Sequence, residues 1–289
     1  GHATLGTGLS SYSRQQADLV GPACRVTRRT VQCPQWKPTV VLLRRIPGGA
    51  GRTSIDLATL PATSGSGFSM RQLGGHDGKI WFAAGWQVLL GQSEVQNWVR
   101  SGPDQPAVMR YGGEWKFPGG RREPDESLTE AAWRELSEEF CVTPRNGGVL
   151  HRLNRLRTKP VRGVSFDMHN FVALAIENDW LAELHPDSIN AALAARRERF
   201  LTLLKAGDFW PLGKAEGERV APEVRRVAWL GLQEAATCML SSKAEELVPV
   251  DSWQAAEYAR LGVTRRDPMF QTLATLLEIG RFESETELR

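Results

Sequence analysis

Glu135, Glu138 and Glu139 place three carboxylates within five residues, directly after Arg134. On a helix, at about 100° per residue, positions i, i+3 and i+4 share one face, so their oxygens gather on one side. Leu128, Ala131, Ala132 and Leu136 define the apolar arc of such a helix. Glu135 and Glu139 fall inside that arc and Glu138 lies on its edge. Carboxylates turned toward a core are costly, or protonated, unless a cation compensates them. Mg2+ or Mn2+ takes oxygen ligands and keeps several waters, so a few carboxylates plus substrate phosphates make a sufficient site. The expected metal ligands are therefore Glu135, Glu138 and Glu139. Arg134 is expected to orient them, its planar fork suited to holding Glu126 or Glu138 in a bidentate pair.

The elements around this cluster are legible. Ser127 with Glu130 is a capping box, Pro124 fits just before it and Pro144 stops continuation, so the helix should run from about Leu128 to Phe140. Gly119 and Gly120 precede it on a loop whose bare backbone can approach a metal closely. The Gly119 carbonyl is the expected additional ligand.

At these residues the chain resembles the Nudix hydrolase superfamily, whose box is G-x5-E-x7-R-E-U-x-E-E-x-G-U with U a bulky aliphatic residue. The sequence matches at Gly120, Glu126, Arg134, Glu135, Leu136, Glu138, Glu139 and Val142, and departs at Cys141, where the second glycine belongs. A left-handed non-glycine there costs about 1 kcal/mol, which a packed domain absorbs. The resemblance implies an α/β fold, an α/β/α sandwich around a mixed sheet. It also implies divalent-metal-dependent hydrolysis of a diphosphate linkage in a nucleoside derivative, by in-line attack of an activated water. The catalytic set it implies is Glu138 with Arg134 and Glu126. Glu223, at the start of a late strand, is the expected carboxylate outside the box, as general base or extra ligand. Trp115, Lys116, Arg121 and Arg157 are the expected substrate contacts.

The remaining chain divides into an N-terminal extension (1–78), the Nudix domain (79–248, with an insertion at about 177–220) and a C-terminal helical extension (249–289). In the first part, Thr39 to Ile46 reads as a strand that either joins the sheet or packs as a small subdomain, and Ala50 to Gly67 as a mobile loop. Ile80 to Leu90 reads as a buried strand pair or one bent strand, and Ser93 to Arg100 as a helical turn. His169 to Ile176 and Glu223 to Leu230 read as strands, the latter followed by the domain's second helix. Ser188 to Lys205 has the spacing of an amphipathic helix, as a lid or dimer contact. Helices are also expected at Trp253 to Leu261 and Pro268 to Ile279.

Composition narrows the partners. No apolar run reaches the length of a membrane span. Cys24, Cys33, Cys141 and Cys238 have neither C-x-x-C pairing nor dense spacing, which predicts free thiols in a reducing intracellular compartment. The chain begins Gly-His rather than Met, as expected of a processed or trimmed chain. Net charge is only +3 but uneven: Phe140 to Phe166 contains no acid and carries Arg145, Arg152, Arg155, Arg157, Lys159 and Arg162. The first 55 residues hold eight Lys or Arg against one acid, Asp18. Such a surface could track a phosphate backbone, with Trp81, Trp86, Trp115 and Phe117 as stacking faces. The expected substrate is a nucleotide or RNA 5′ end, cleaved to a monophosphate within an RNA-processing complex. The long additions also resemble, in layout alone, the Nudix processing of mitochondrial mRNAs in trypanosomes, implying a mitochondrial location. The competing expectations are a small-molecule Nudix enzyme of nucleotide sugars or dinucleoside polyphosphates, and a non-catalytic RNA-binding subunit.

Overall fold

The computed structural model describes residues 35–59, 77–102, 105–109, 112–157, 166–206, 221–240, 270–282 and 285–288. In chain order these form β1 (Gln35–Arg45), β2 (Arg52–Asp56), β3 (Lys79–Ala83), β4 (Trp86–Ser93), β5 (Gln96–Gly102), β6 (Gln105–Val108), β7 (Trp115–Lys116) and α1 (Leu128–Phe140). There follow β8 (His151–Arg157), β9 (Phe166–Leu174), α2 (Pro186–Ala206), β10 (Val224–Gly231), α3 (Leu232–Leu240), α4 (Phe270–Ile279) and a final turn, α5 (Glu285–Leu288).

Six strands make one mixed sheet in the order β10-β4-β1-β9-β8, with β7 also paired to β4. The unbroken run Val40, Val41, Leu42, Leu43 is fully buried because β1 lies in the middle, parallel to β9 and antiparallel to β4, with both faces covered. Thr39–Ile46 was expected to join the sheet or stand apart; it joins at the centre. The expected boundary between residues 78 and 79 thus divides this sheet.

Two apolar layers flank it. On one face Val40, Leu42, Phe171 and Ala173 pack against Ala132, Leu136 and Phe140 of α1 and Ile189 and Leu193 of α2. On the other, Val41, Leu43, Val172 and Leu174 meet α3, α4 and the β2–β3 hairpin. The sandwich is α/β/α, as the resemblance implies.

The feature that positions the site is a split in the sheet. β1 and β4 pair only where Leu43 to Arg45 face Trp86 to Val88, then diverge. The chain from Trp115 fills the opening: Lys116 and Trp115 pair with Gly91 and Gln92, and Gly119 bridges to Thr39. The Val40 N–H donates to the Pro118 carbonyl at 3.0 Å and the Arg122 N–H to the Trp36 carbonyl at 3.1 Å. These bonds lay the glycine loop along β1 before α1 begins.

Two local expectations are corrected and one pair of alternatives is decided. Ala50–Gly67 contains β2, whose partner β3 supplies cross-strand bonds invisible to a local reading. Of the alternatives for Ile80–Leu90, two strands form rather than one bent strand, though they belong to different sheets. Ser93–Arg100 is not helical but enters β5, paired with β6. The inserted helix α2 is packed rather than poised as a lid: Ile189, Leu193 and Phe200 are buried, and Asn190 bonds both the N–H (2.7 Å) and carbonyl (3.1 Å) of Val227. Arg196 of the same helix donates to the carbonyl of Glu138, which the end of α1 leaves over, and to that of Ser137, which also accepts the Cys141 N–H. The helix expected at Trp253–Leu261 lies outside the described residues, as do Cys24, Cys33 and the basic stretch before residue 35.

Candidate active site

α1 has the bounds its sequence predicts. Ser127 and Glu130 form the reciprocal capping box, and Cys141 closes the helix in the left-handed region at φ 57° and ψ 28°. Glu135 and Glu139, inside the apolar arc, are 9% and 5% exposed.

Arg134 organises the first half of the cluster. Its Nε and Nη2 donate to the two oxygens of Glu126 at 3.0 and 2.8 Å, and its Nη1 to Glu135 at 3.0 Å and Glu138 at 2.9 Å. Nη2 also donates to the Arg121 carbonyl at 2.8 Å. Glu126, hydrogen-bonded by Arg134, is held below the usual carboxylate range. Arg134 therefore ties Glu126, Glu135 and Glu138 into one hydrogen-bonded group.

Lys116 organises the second half. It pairs with Glu139, and with Glu223 at 3.6 Å, while the Gly119 N–H donates to Glu139 at 3.0 Å. Lys116 thus holds carboxylates where it was expected to hold substrate. Burial opposes its charge, but Glu139 and Glu223 carry it above the usual lysine range. Trp115 is 2% exposed, and Trp86 and Phe117 are buried with it, so none of these rings offers a stacking face. Their apolar bulk fills the core beside the sheet split. Trp81 alone of the four is exposed, its indole bonded to Asp77. Arg157 ends β8, in register with Asp167 at the start of β9.

Burial pushes Glu135 up to about 7, against the pull of Arg134, and pushes Glu139 up to about 8, against the pull of Lys116. Glu223 differs. Burial raises it too, yet Lys116 and a hydrogen bond with Glu139 outweigh that, leaving it below the usual range. Its side chain is 49% exposed, the most open of the cluster's carboxylates. Sequence reasoning missed Lys37 of β1, whose amine lies 4.7 Å from the Phe166 ring centroid. The available signal was a cation three residues ahead of the fully buried strand run.

The two glycines are steric requirements. A Cβ on Gly119 would sit 2.6 Å from the Pro38 carbonyl oxygen, and one on Gly120 2.1 Å from Glu135 Oε1. Gly120→Ala is expected to displace the Glu135 carboxylate and lower kcat/KM about 100-fold, the usual effect of an ångström-scale misplacement. Steady-state kinetics beside a thermal melt would check it; full activity with normal folding would exclude a site that uses Glu135.

Residues 98–250, just over half of the chain, match the NUDIX domain family. The chain belongs to the Nudix family. Among solved structures it is similar to the MutT/nudix protein of Enterococcus faecalis at 14% identity and a TM-score of 0.27, covering 58% of this chain and 44% of that one. The NUDIX domain of Shewanella oneidensis NrtR, crystallised with ADP ribose, aligns at 14% identity and a TM-score of 0.34 over 88% of this chain and 100% of that one. A C. elegans Ap4A hydrolase aligns at 14% identity and a TM-score of 0.31 over 79% and 98%. This chain spans less than half the length of the Enterococcus protein. No curated protein matches it.

Nudix hydrolases cleave phosphoanhydrides with divalent metals, and the donors here fit such an ion. They are all oxygens, and Glu135 and Glu139 are buried with too little positive charge to keep them fully ionised. Among the described residues no three potential ligands already converge, because Arg134 and Lys116 divide the carboxylates between them. The residues that would hold the ion are Glu135, Glu138 and Glu139; at Gly119 it is the N–H, on Glu139, that the structure engages.

This implies a pH signature. A carboxyl whose folded-state pKa is raised contributes stability that is present below its unfolded value and lost as pH rises through the folded one. For Glu135 and Glu139 that loss runs from the ordinary carboxylate range upward and is complete at about 7 and about 8. The metal-free protein should therefore melt about 5 °C lower at pH 9 than at pH 6. Saturating Mg2+ or Mn2+ should largely remove the difference. Melting curves in chelator and in metal would decide it, and parallel curves would count against a shared carboxylate site.

Proposed function

We propose that this Nudix pyrophosphohydrolase acts on RNA 5′ ends, converting a triphosphate or capped end to a monophosphate. The observation that carries the reading is the charge at one end of the sheet. Arg157, Asp167 and Trp36 stand side by side on β8, β9 and β1, and the loop holding Arg121 and Arg122 is hydrogen-bonded to Trp36. The basic strand β8 thus ends at the same end of the sheet as the loop that runs into the carboxylate cluster, a layout suited to a chain of phosphates leading into a site.

A divalent ion on Glu135, Glu138 and Glu139 would neutralise the phosphates and acidify a bound water. Glu223 accepts the proton of the attacking water, and Lys116 keeps Glu223 ionised and aimed beside Glu139. Arg134 fixes Glu135 and Glu138, and Gly119 fixes Glu139. Water oxygen bonds to the α-phosphorus as the α–β anhydride breaks, leaving pyrophosphate or the cap nucleotide. We extend the reading to mitochondrial mRNA maturation within a protein complex.

The test is hydrolysis of a short 5′-triphosphate RNA with Mg2+ or Mn2+, beside ADP-ribose and dinucleoside polyphosphates, with Glu138→Gln as control. Monophosphate RNA formed by the parent alone, with affinity falling as salt rises, supports the reading. Turnover confined to the small molecules overturns it. RNA binding without hydrolysis would indicate a scaffold instead.

A further inference from the structure

Lys37 and Arg121 converge on a single ring. The Lys37 amine lies 4.7 Å and the Arg121 guanidinium 5.8 Å from the centroid of Phe166. Among the described residues neither side chain has an ion-pair partner. The neighbouring carboxylates are committed elsewhere: Glu139 to Lys116 and the Gly119 N–H, Glu135 and Glu138 to Arg134. Burial, with Lys116 and Arg121 nearby, pushes the Lys37 amine below the usual lysine range, although Glu139 and Glu135 oppose this.

Two like charges gathered beside a third cation are unfavourable, and contact with one aromatic face offsets only part of that. A divalent ion on the carboxylates would add to the local positive charge. An anion resolves the imbalance, and its chemistry can be specified. Internal phosphoryl groups of a polyphosphate carry one charge each, whereas a terminal phosphoryl carries close to two near neutral pH. Two spare cations match a terminal dianion, with the Arg121 fork suited to two of its oxygens.

We infer that Lys37 and Arg121, flanking Phe166, form a subsite for the terminal phosphoryl group of a 5′-triphosphate. This rests on the RNA-end reading and sharpens it, because a capped end has no terminal phosphoryl dianion and gains nothing from the subsite. In cleavage of the α–β bond the departing pyrophosphate holds that terminal group, so Lys37 and Arg121 stabilise the leaving charge.

The experiment compares kcat/KM for one RNA carrying either a 5′-triphosphate or a dinucleotide cap, in the parent, Lys37→Gln and Arg121→Gln. The parent should favour the triphosphate. Lys37→Gln should lower triphosphate turnover about tenfold or more while moving capped turnover less than about threefold, so the preference collapses. Its melting temperature should equal or exceed the parent's, since a partly buried cation crowded by Lys116 and Arg121 is removed. Equal losses on both substrates, or no loss on either, overturn the subsite. Binding of inorganic tripolyphosphate with Mg2+ separates the two ideas. If triphosphate RNA is not hydrolysed but Lys37→Gln still weakens tripolyphosphate binding about tenfold, the RNA reading fails and the subsite stands.

Discussion

Glu139→Gln should lower hydrolysis by about 1,000-fold while leaving the protein folded. Removing one element of a preorganised charge clamp typically costs that much in rate. Glu139 is the buried carboxylate on which Lys116 and the Gly119 N–H converge, and it stands beside the more exposed Glu223. Glutamine keeps the shape and one acceptor for Gly119 but removes the charge a metal requires. Because burial holds Glu139 well above the usual carboxylate range, the neutral amide is tolerated. At pH 8.5 the metal-free variant should therefore melt at or above the parent. The same substitution should erase the metal-induced rise in melting temperature at that pH. Rate assays and paired melts in chelator and Mn2+ read both effects. Activity within tenfold of the parent would remove Glu139 from the metal site.

What the sequence disclosed is what depends on neighbours within a few turns of chain. The capping box, the prolines and the apolar arc suffice to bound α1, and the placement of Glu135 and Glu139 within that arc suffices to bury them. Even the left-handed Cys141 follows from the box position it occupies. What stayed hidden depends on partners far along the chain. Nothing local shows that β1 and β4 diverge, or that the segment from Trp115 to Gly119 enters between them. That wedge turns Trp115 into core and brings Lys116 from an expected substrate contact onto Glu139. A strand's alternation likewise says that a residue is buried, not which sheet claims it, so Ile80–Leu90 reads as a strand pair or one bent strand, and nothing local shows that β3 pairs with β2 instead. Lys37 was missed for the same reason: its chemistry comes from Phe166 and Arg121, reached through the β9 pairing and the glycine loop.

Arg134→Ala should damage stability and catalysis together, because one guanidinium satisfies three carboxylates. Its fork holds both oxygens of Glu126 while Nη1 spans Glu135 and Glu138, and the Arg121 carbonyl accepts from the same side chain. Without it, Glu126, Glu135 and Glu138 face one another in a partly buried space. Breaking such a pair by removing one partner costs about 2–4 kcal/mol, here spread over three acids. Glu135, already raised to about 7 by burial, loses its largest compensating charge and rises further. The acidic limb of the pH–rate profile should therefore move to higher pH, and kcat/KM at pH 7 should fall about 100-fold or more. Arg134→Lys separates charge from geometry. A lysine restores one positive charge but cannot span Glu126, Glu135 and Glu138 together, so it should recover much of the melting temperature and little of the rate. If lysine recovered both, the cluster would require only a cation at this place, and the fork geometry would have no part in aligning the carboxylates.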